Sequence, residues 1–141
     1  STHGVGAKLD LARLAGRYDT IGIDCVAMSV NDVVCVGAEP VAMLHHFAVD
    51  RAHSGVLEAV GKGLYEGAKQ AGIAIVGGQA SQTDAVVGSD VPGTGMNLVG
   101  MCVGTVALDA VVDGSRVRPG DVVIGLASSG VHSSSRCRPQ R

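Results

Sequence analysis

The chain has 141 residues, 46% of them hydrophobic, and a formal net charge of −2. That length allows one domain or a part of one. One Phe, two Tyr, no Trp and a slightly acidic balance leave neither stacking platforms nor a basic face, which argues against nucleic acid as a partner.

No apolar run reaches the roughly 20 residues that span a bilayer, and Ser1-Thr2-His3-Gly4 has no basic, apolar leader. No membrane contact is expected, and a reducing cytoplasmic setting is. Cys25, Cys35, Cys102 and Cys137 form no CxxC pair, so they read as small hydrophobes, the first three inside apolar runs. The 21 glycines are spread between apolar segments, a pattern of tight turns in an α/β fold.

Residues 8–15 are helical in pattern and stop at Gly16. Asp24 is a candidate N-cap for a helix over 25–36. Its many Val residues would permit a strand, but Asn31-Asp32 in mid-run and Gly37 at its end favour the helix. A strand is expected over 41–49. Ser54 then caps an amphipathic helix ending at Gly72, with Leu57, Val60, Leu64, Ala68 and Ala71 on one face. Glu58 and Lys62 are placed for an i,i+4 pair on the other. A short buried strand over 73–76 ends at Gly77-Gly78. A long polar loop, 79–97, follows, in which 88–95 is either a lid or a plain connector. Strands are expected over 98–108 and 122–127, separated by the turn Arg118-Pro119-Gly120-Asp121. Met28, Met43, Met96 and Met101 read as core filler. Residues 134–141 form a basic tail without apolar periodicity.

One constellation points to chemistry. Gly4-Val5-Gly6-Ala7-Lys8 is a glycine turn with a lysine, and Asn31-Asp32 sits on the next long helix. Glycines let backbone N–H groups approach phosphate oxygens, the lysine supplies a point charge, and a carboxylate can hold Mg²⁺. The plain readings are a solvated Lys8 and a surface Asp32. His3, His45, His46 and His132 are suited to a transition metal, but their spacing fits no chelate motif. His45-His46 reads instead as a strand surface or a dimer interface.

Longer motifs carry a resemblance. Gly4-Val5-Gly6-Ala7-Lys8-Leu9, Tyr18-Asp19-Thr20-Ile21-Gly22-Ile23-Asp24, Val30-Asn31-Asp32-Val33-Val34, Gly37-Ala38-Glu39-Pro40, Gly77-Gly78, Gly120-Asp121-Val122 and Ser128-Ser129-Gly130-Val131-His132-Ser133 follow in order. In them the chain resembles the aminoimidazole ribonucleotide synthetase (phosphoribosylformylglycinamidine cyclo-ligase) family of purine biosynthesis. The resemblance implies an α/β fold, a mixed sheet packed by helices, whose N-terminal half binds ATP and forms a homodimer. It implies an ATP-binding and dimerisation domain over 1–133, truncated at its N-terminus, with the C-terminal domain absent and the piece alone inactive.

In the family, ATP phosphorylates the amide oxygen of formylglycinamidine ribonucleotide, an amidine nitrogen attacks, and phosphate leaves as the imidazole ring closes. The resemblance implies Lys8 and His132 as catalytic residues. It implies Gly4, Gly6, Lys8, Asn31, Asp32, Gly77, Gly78 and Gln79 around ATP, and Asp32 with Gln79 on Mg²⁺. Two alternatives stand beside it: a non-catalytic nucleotide-binding or dimerisation homologue, and a small-molecule kinase of the same superfamily.

The chain departs from the family pattern in one direction. His3 stands for an Asp, Gln79 and Gln82 for Glu, Asn97 for Asp, and His45-His46 often for Asp-Tyr; Ala7 replaces a usual Thr. Most of these changes remove carboxylates where Mg²⁺ and nucleotide would bind. Mg²⁺ favours oxygen ligands, so weakened Mg²⁺–ATP affinity is expected.

Overall fold

The computed structural model describes residues 1–128, 130 and 132. The basic tail, Ser133 and Cys137 lie outside the described residues. Seven elements follow in order: β1 (Thr2–Gly4), α1 (Lys8–Ala15), α2 (Ile21–Cys35), β2 (Glu39–Val49), α3 (Ser54–Ala71), β3 (Ala74–Gln82) and β4 (Met96–Thr105). The strands form one mixed sheet in the order β1-β4-β2-β3. β4 runs antiparallel to β1 and β2, while β3 runs parallel to β2. The β2–α3–β3 unit is thus the crossover that a parallel pair requires.

α2 and α3 cover one face of the sheet. Between them and the strands lie Ile21, Cys25, Val26, Met43, Phe47, Val60, Leu64, Leu98 and Cys102, all nearly inaccessible to solvent. α2 lies directly on β4. A Cβ on Gly100 would meet the Met43 methyl at 2.4 Å and Ser29 Oγ at 2.7 Å, and one on Gly104 would meet Val33 at 2.4 Å. The two helices also touch closely. A Cβ on Gly22 would lie 2.3 Å from the Leu64 backbone nitrogen, and one on Gly63 would lie 2.4 Å from the Asp19 carbonyl oxygen. Glycines here set the helix–helix distance.

Helices α1, α2 and α3 and strand β2 agree with the expectations from sequence. Gly16 and Gly72 end their helices in the left-handed conformation, with φ of +63° and +67°. Val60, Leu64 and Ala68 form the buried stripe of α3, and Lys62 Nζ lies 2.7 Å from Glu58 Oε1. The turn at 118–121 is present, with Asp121 N–H donating to the Arg118 carbonyl.

Other expectations are corrected. α2 begins at Ile21, because the Thr20 carbonyl already accepts the Asp24 N–H; Asp24 lies in the first turn and is not the N-cap. α3 has His53 at its N-cap position and Ser54 inside the helix, with no side-chain cap bond. β3 runs through Gly77-Gly78 to Gln82, since pairing with β2 continues that far, and as an edge strand it is not buried along its length. β4 begins at Met96 and stops at Thr105.

Residues 122–127 form no strand: Val122, Val123, Ile124 and Leu126 are 80–95% exposed, and among the described residues no strand pairs with them. Cys35 is exposed, unlike Cys25 and Cys102. Met101 points to the uncovered face of the sheet, so only Met43 is fully buried filler.

Candidate functional site

The site is built on the N-terminal turn and on α2. Val5 is fully buried, and its N–H donates to the Leu98 carbonyl, which pins the end of β1 to β4. Gly6 then takes φ +65°, a conformation costly for residues with a Cβ. The chain turns there into α1, whose first residue is Lys8. Lys8 Nζ donates to Asp24 Oδ1 at 2.7 Å, with both side chains about three-quarters buried. The second Asp24 oxygen, Oδ2, is buried without a partner. Sequence reading missed this pair. The two residues lie on different helices, and no local spacing signals the contact.

Asp32 lies two turns further along α2. Eight residues at 1.5 Å each separate it from Asp24 by about 12 Å along the axis. Its Oδ2 lies 2.5 Å from His3 Nε2 on β1. Together they line an open cleft of about 700 Å³ with Val33, Val36, Cys102 and Val106. Lys8 does not line that cleft. One ion cannot touch both Lys8 and Asp32, but an extended nucleoside triphosphate could run along α2 from one to the other. Gly4 follows His3 on β1, and Asn31 is exposed beside Asp32.

Gly77, Gly78 and Gln79 belong to β3, at the opposite edge of the sheet from β1. Three strand spacings make that about 14 Å. Gln79 is in register with His46, and His46 Nε2 lies 2.9 Å from Ser81 Oγ. Within one chain the structure therefore does not bring Gln79 beside Asp32. Gly78 has a local role: a Cβ there would fall 2.3–2.7 Å from the His45 ring.

The His45 ring faces α3, and its Nδ1 is buried without a partner. Burial, and then the neighbouring His46, hold its pKa below the ordinary 6.5. His132 Nε2 contacts Ser128 Oγ at 2.9 Å within its own loop. The Cys25 thiol is pushed up to about 12 by burial and by the Asp24 charge, which leaves it a packing residue with no nucleophilic character. Among the described residues no group of three or more His, Cys, Asp or Glu is placed to hold a metal ion. No helix among them is long and apolar enough to cross a membrane.

A mixed sheet with helices on one face, led by a glycine turn into a lysine-bearing helix, defines an α/β domain. Residues 1–106 match the family described as AIR synthase related protein, N-terminal domain, and the chain belongs to that family. It is 51% identical over 134 residues to the phosphoribosylformylglycinamidine cyclo-ligase of Pyrococcus furiosus, covering 95% of this chain and 38% of that protein. Against the protein of the same name from Methanocaldococcus jannaschii it is 45% identical, covering 95% and 37%.

The chain thus spans well under half the length of these relatives. Among solved structures it superposes on hydrogenase maturation protein HypE in complex with ATP with a TM-score of 0.63 and 25% identity, over 85% of this chain and 33% of that one. A thiamine-monophosphate kinase from Stenotrophomonas maltophilia shares the fold, with a TM-score of 0.62 at 20% identity, over 79% and 32%.

Proposed function

We propose that this chain is the nucleotide-binding part of an ATP-dependent cyclo-ligase that converts formylglycinamidine ribonucleotide to aminoimidazole ribonucleotide. The observation that carries the reading is the line of charge along α2. Lys8 is fixed by Asp24 at one end, and Asp32 lines an open cleft at the other. The relatives' names and the ATP in the HypE structure support it.

The physical task of such an enzyme is to hold the γ-phosphate in line with the amide oxygen and to neutralise its charge. Lys8 is held with one face toward Asp24 and offers its remaining protons to phosphate. The N–H groups around Gly4 and Gly6 line the backbone approach. Asp32 supplies the carboxylate for Mg²⁺. Among the described residues no carboxylate cluster stands beside it, so within one chain the remaining ligands are phosphate oxygens and water. Mg²⁺, when bound, screens the phosphate charge. His132, in its Ser-rich loop, is proposed to reach the phosphates.

The homodimer belongs to the same proposal. Leu44 and Met101 are cross-strand partners on the uncovered sheet face, flanked by exposed Val103 and Val76. An apolar patch of this kind fits the sheet of a second copy. Gln79, Gly77 and Gly78 can join the Asp32 end of a nucleotide only across such a pair.

Calorimetric titration with ATP, with and without Mg²⁺, tests the proposal. Lys8→Ala is expected to weaken binding roughly tenfold, the equivalent of about 1.4 kcal/mol. Asp32→Asn is expected to abolish the Mg²⁺ dependence. Unchanged affinity in both variants overturns the reading. Phosphate release that depends on formylglycinamidine ribonucleotide, measured on the chain carrying the relatives' C-terminal portion, separates a ligase from a kinase or a non-catalytic homologue.

A further inference from the structure

The segment 83–95 joins β3 to β4 and is tied down at both ends by one short stretch of chain. At its start the Thr83 N–H donates to the Val49 carbonyl at 2.7 Å. At its end the Gly93 N–H donates to Asp50 Oδ2 at 2.8 Å, and the Asp50 N–H donates to the Gly95 carbonyl at 3.0 Å. His53 Nε2 lies 3.3 Å from the Gly93 carbonyl oxygen. Asp50 Oδ1 is buried without a partner. Against the desolvation that would raise it, the backbone N–H groups of Gly95, Gly93 and Arg51 hold the carboxylate's pKa below the ordinary range.

Between the two anchors the segment holds itself together. Ser89 Oγ and Thr94 Oγ1 lie 3.0 Å apart, and Thr94 Oγ1 donates to the Val91 carbonyl at 2.7 Å. Val87 is its one buried apolar anchor, and Gly95 passes so close that a Cβ would lie 2.2 Å from the Val87 carbonyl oxygen. Val86 and Val91 stay exposed. The ends are therefore fixed and the middle is lightly held. This middle stands against α1. Leu9, Asp10 and Arg13 on the helix and Ser89, Asp90 and Thr94 on the segment enclose a polar cleft of about 250 Å³. Leu9 follows Lys8 directly, so the segment walls the flank of the helix that Lys8 begins.

From this geometry we infer that Asp50 is a positioning residue. Its carboxylate holds 83–95 as a strap closed on α1, and the closed strap keeps Lys8 and the first turn of α1 in place for the nucleotide. The inference rests on the proposed nucleotide site for its consequence, but not for the latch itself. The Asp50 carboxylate acts through the Gly93 N–H, and the Asp50 main-chain N–H separately holds the Gly95 carbonyl. Releasing the carboxylate loosens the strap at Gly93, leaves the Asp50 N–H bond to the Gly95 carbonyl and the β2–β4 pairing in place, and opens the cleft along α1.

Limited proteolysis and amide hydrogen exchange within 84–92, together with ATP affinity, test this on the wild-type chain, Asp50→Ala and Asp50→Asn. Asp50→Ala is expected to raise cleavage and exchange in 84–92 by tenfold or more, without a matching rise in β2 or α3. It is also expected to weaken ATP binding several-fold. Asp50→Asn keeps a carbonyl acceptor for the Gly93 N–H and the shape of the side chain, so intermediate exchange and partial recovery of affinity are expected.

Equal cleavage and exchange in Asp50→Ala and wild type overturn the latch, as does exposure that rises equally across the whole chain. If Asp50→Ala does not fold, wild-type exchange in Asp50→Asn overturns the role of the charge, and faster exchange confined to 84–92 supports it. Should the wild-type chain fail to bind ATP, the proposed function falls, while the exchange ratio still decides the latch.

Discussion

For the nucleotide proposed above, Lys8 and His3 carry opposite consequences. Lys8 is fixed by Asp24 at 2.7 Å, which orders a flexible side chain before any phosphate arrives and reduces the entropy lost on binding. His3 sits on Asp32 at 2.5 Å and occupies the oxygen that a metal would use. His3→Asp is therefore expected to tighten Mg²⁺-dependent ATP binding by roughly tenfold, or about 1.4 kcal/mol, while leaving metal-free binding unchanged or weaker. Titration of both proteins at matched free Mg²⁺ checks it.

His45 makes a second residue-scale test. Its ring is held neutral by burial and by His46, with its pKa below the ordinary 6.5. As pH falls through 6.5 the unfolded chain takes up a proton that the folded chain resists, so stability declines until the depressed folded pKa is passed. The slope stays well under about 1.4 kcal/mol per pH unit, because the ring is half-buried and partly screened. Urea midpoints at about pH 7.5 and pH 5.5 should differ less in His45→Gln than in the wild type.

At the scale of elements, the α2–α3 crossing depends on absent side chains. Gly22 and Gly63 face each other, with a would-be Cβ 2.3–2.6 Å from the opposing backbone. No rotamer relieves a clash with backbone, so the helices must separate. Gly22→Ala is expected to cost about 1–3 kcal/mol, an overpacking penalty. That lowers the melting midpoint by roughly 4 °C per kcal/mol, where the ranges for smaller and larger domains meet. Gly61→Ala on the exposed side of α3, where nothing lies within 4 Å, should raise stability slightly through helix propensity. Differential scanning calorimetry of the two variants gives opposite signs if the crossing is as described.

The helices were legible because their signals are local. Apolar residues recur every three or four positions, and Gly16 and Gly72 supply αL stops. The extent of β3 was not legible. Gly77-Gly78 reads as a break in isolation, yet the bonds from β2 carry the strand through it to Gln82. The start of α2 escaped for a related reason: Thr20 makes the first helical bond through its backbone alone, and a search for side-chain caps settles on Asp24.

For the whole molecule, the last helix or strand among the described residues is β4, ending at Thr105. The family match ends at residue 106, and among the described residues beyond it no helix or strand forms. The run 122–127 has the composition of a buried strand, but a strand also needs a neighbour for its backbone groups. Left exposed, its Val122, Val123, Ile124 and Leu126 side chains make an apolar patch that favours association. Ile124→Lys is expected to lower the apparent mass in sedimentation at high concentration. It should shift stability by less than about 0.5 kcal/mol, since the side chain is 80% exposed and touches no core. Association that persists in Ile124→Lys would point to the Leu44–Met101 face of the sheet.

The sequence by itself determined the helices, their stops, the α/β class and the glycine–lysine turn that leads into α1, because periodicity and glycine chemistry act within a few residues of chain. Only the tertiary structure decided which charges meet. It pairs Lys8 with Asp24 and His3 with Asp32, sets Gln79 at the far edge of the sheet, and leaves 122–127 without a partner. Those outcomes depend on strand order and helix crossing. These bring together groups distant in the sequence, and no local pattern encodes them.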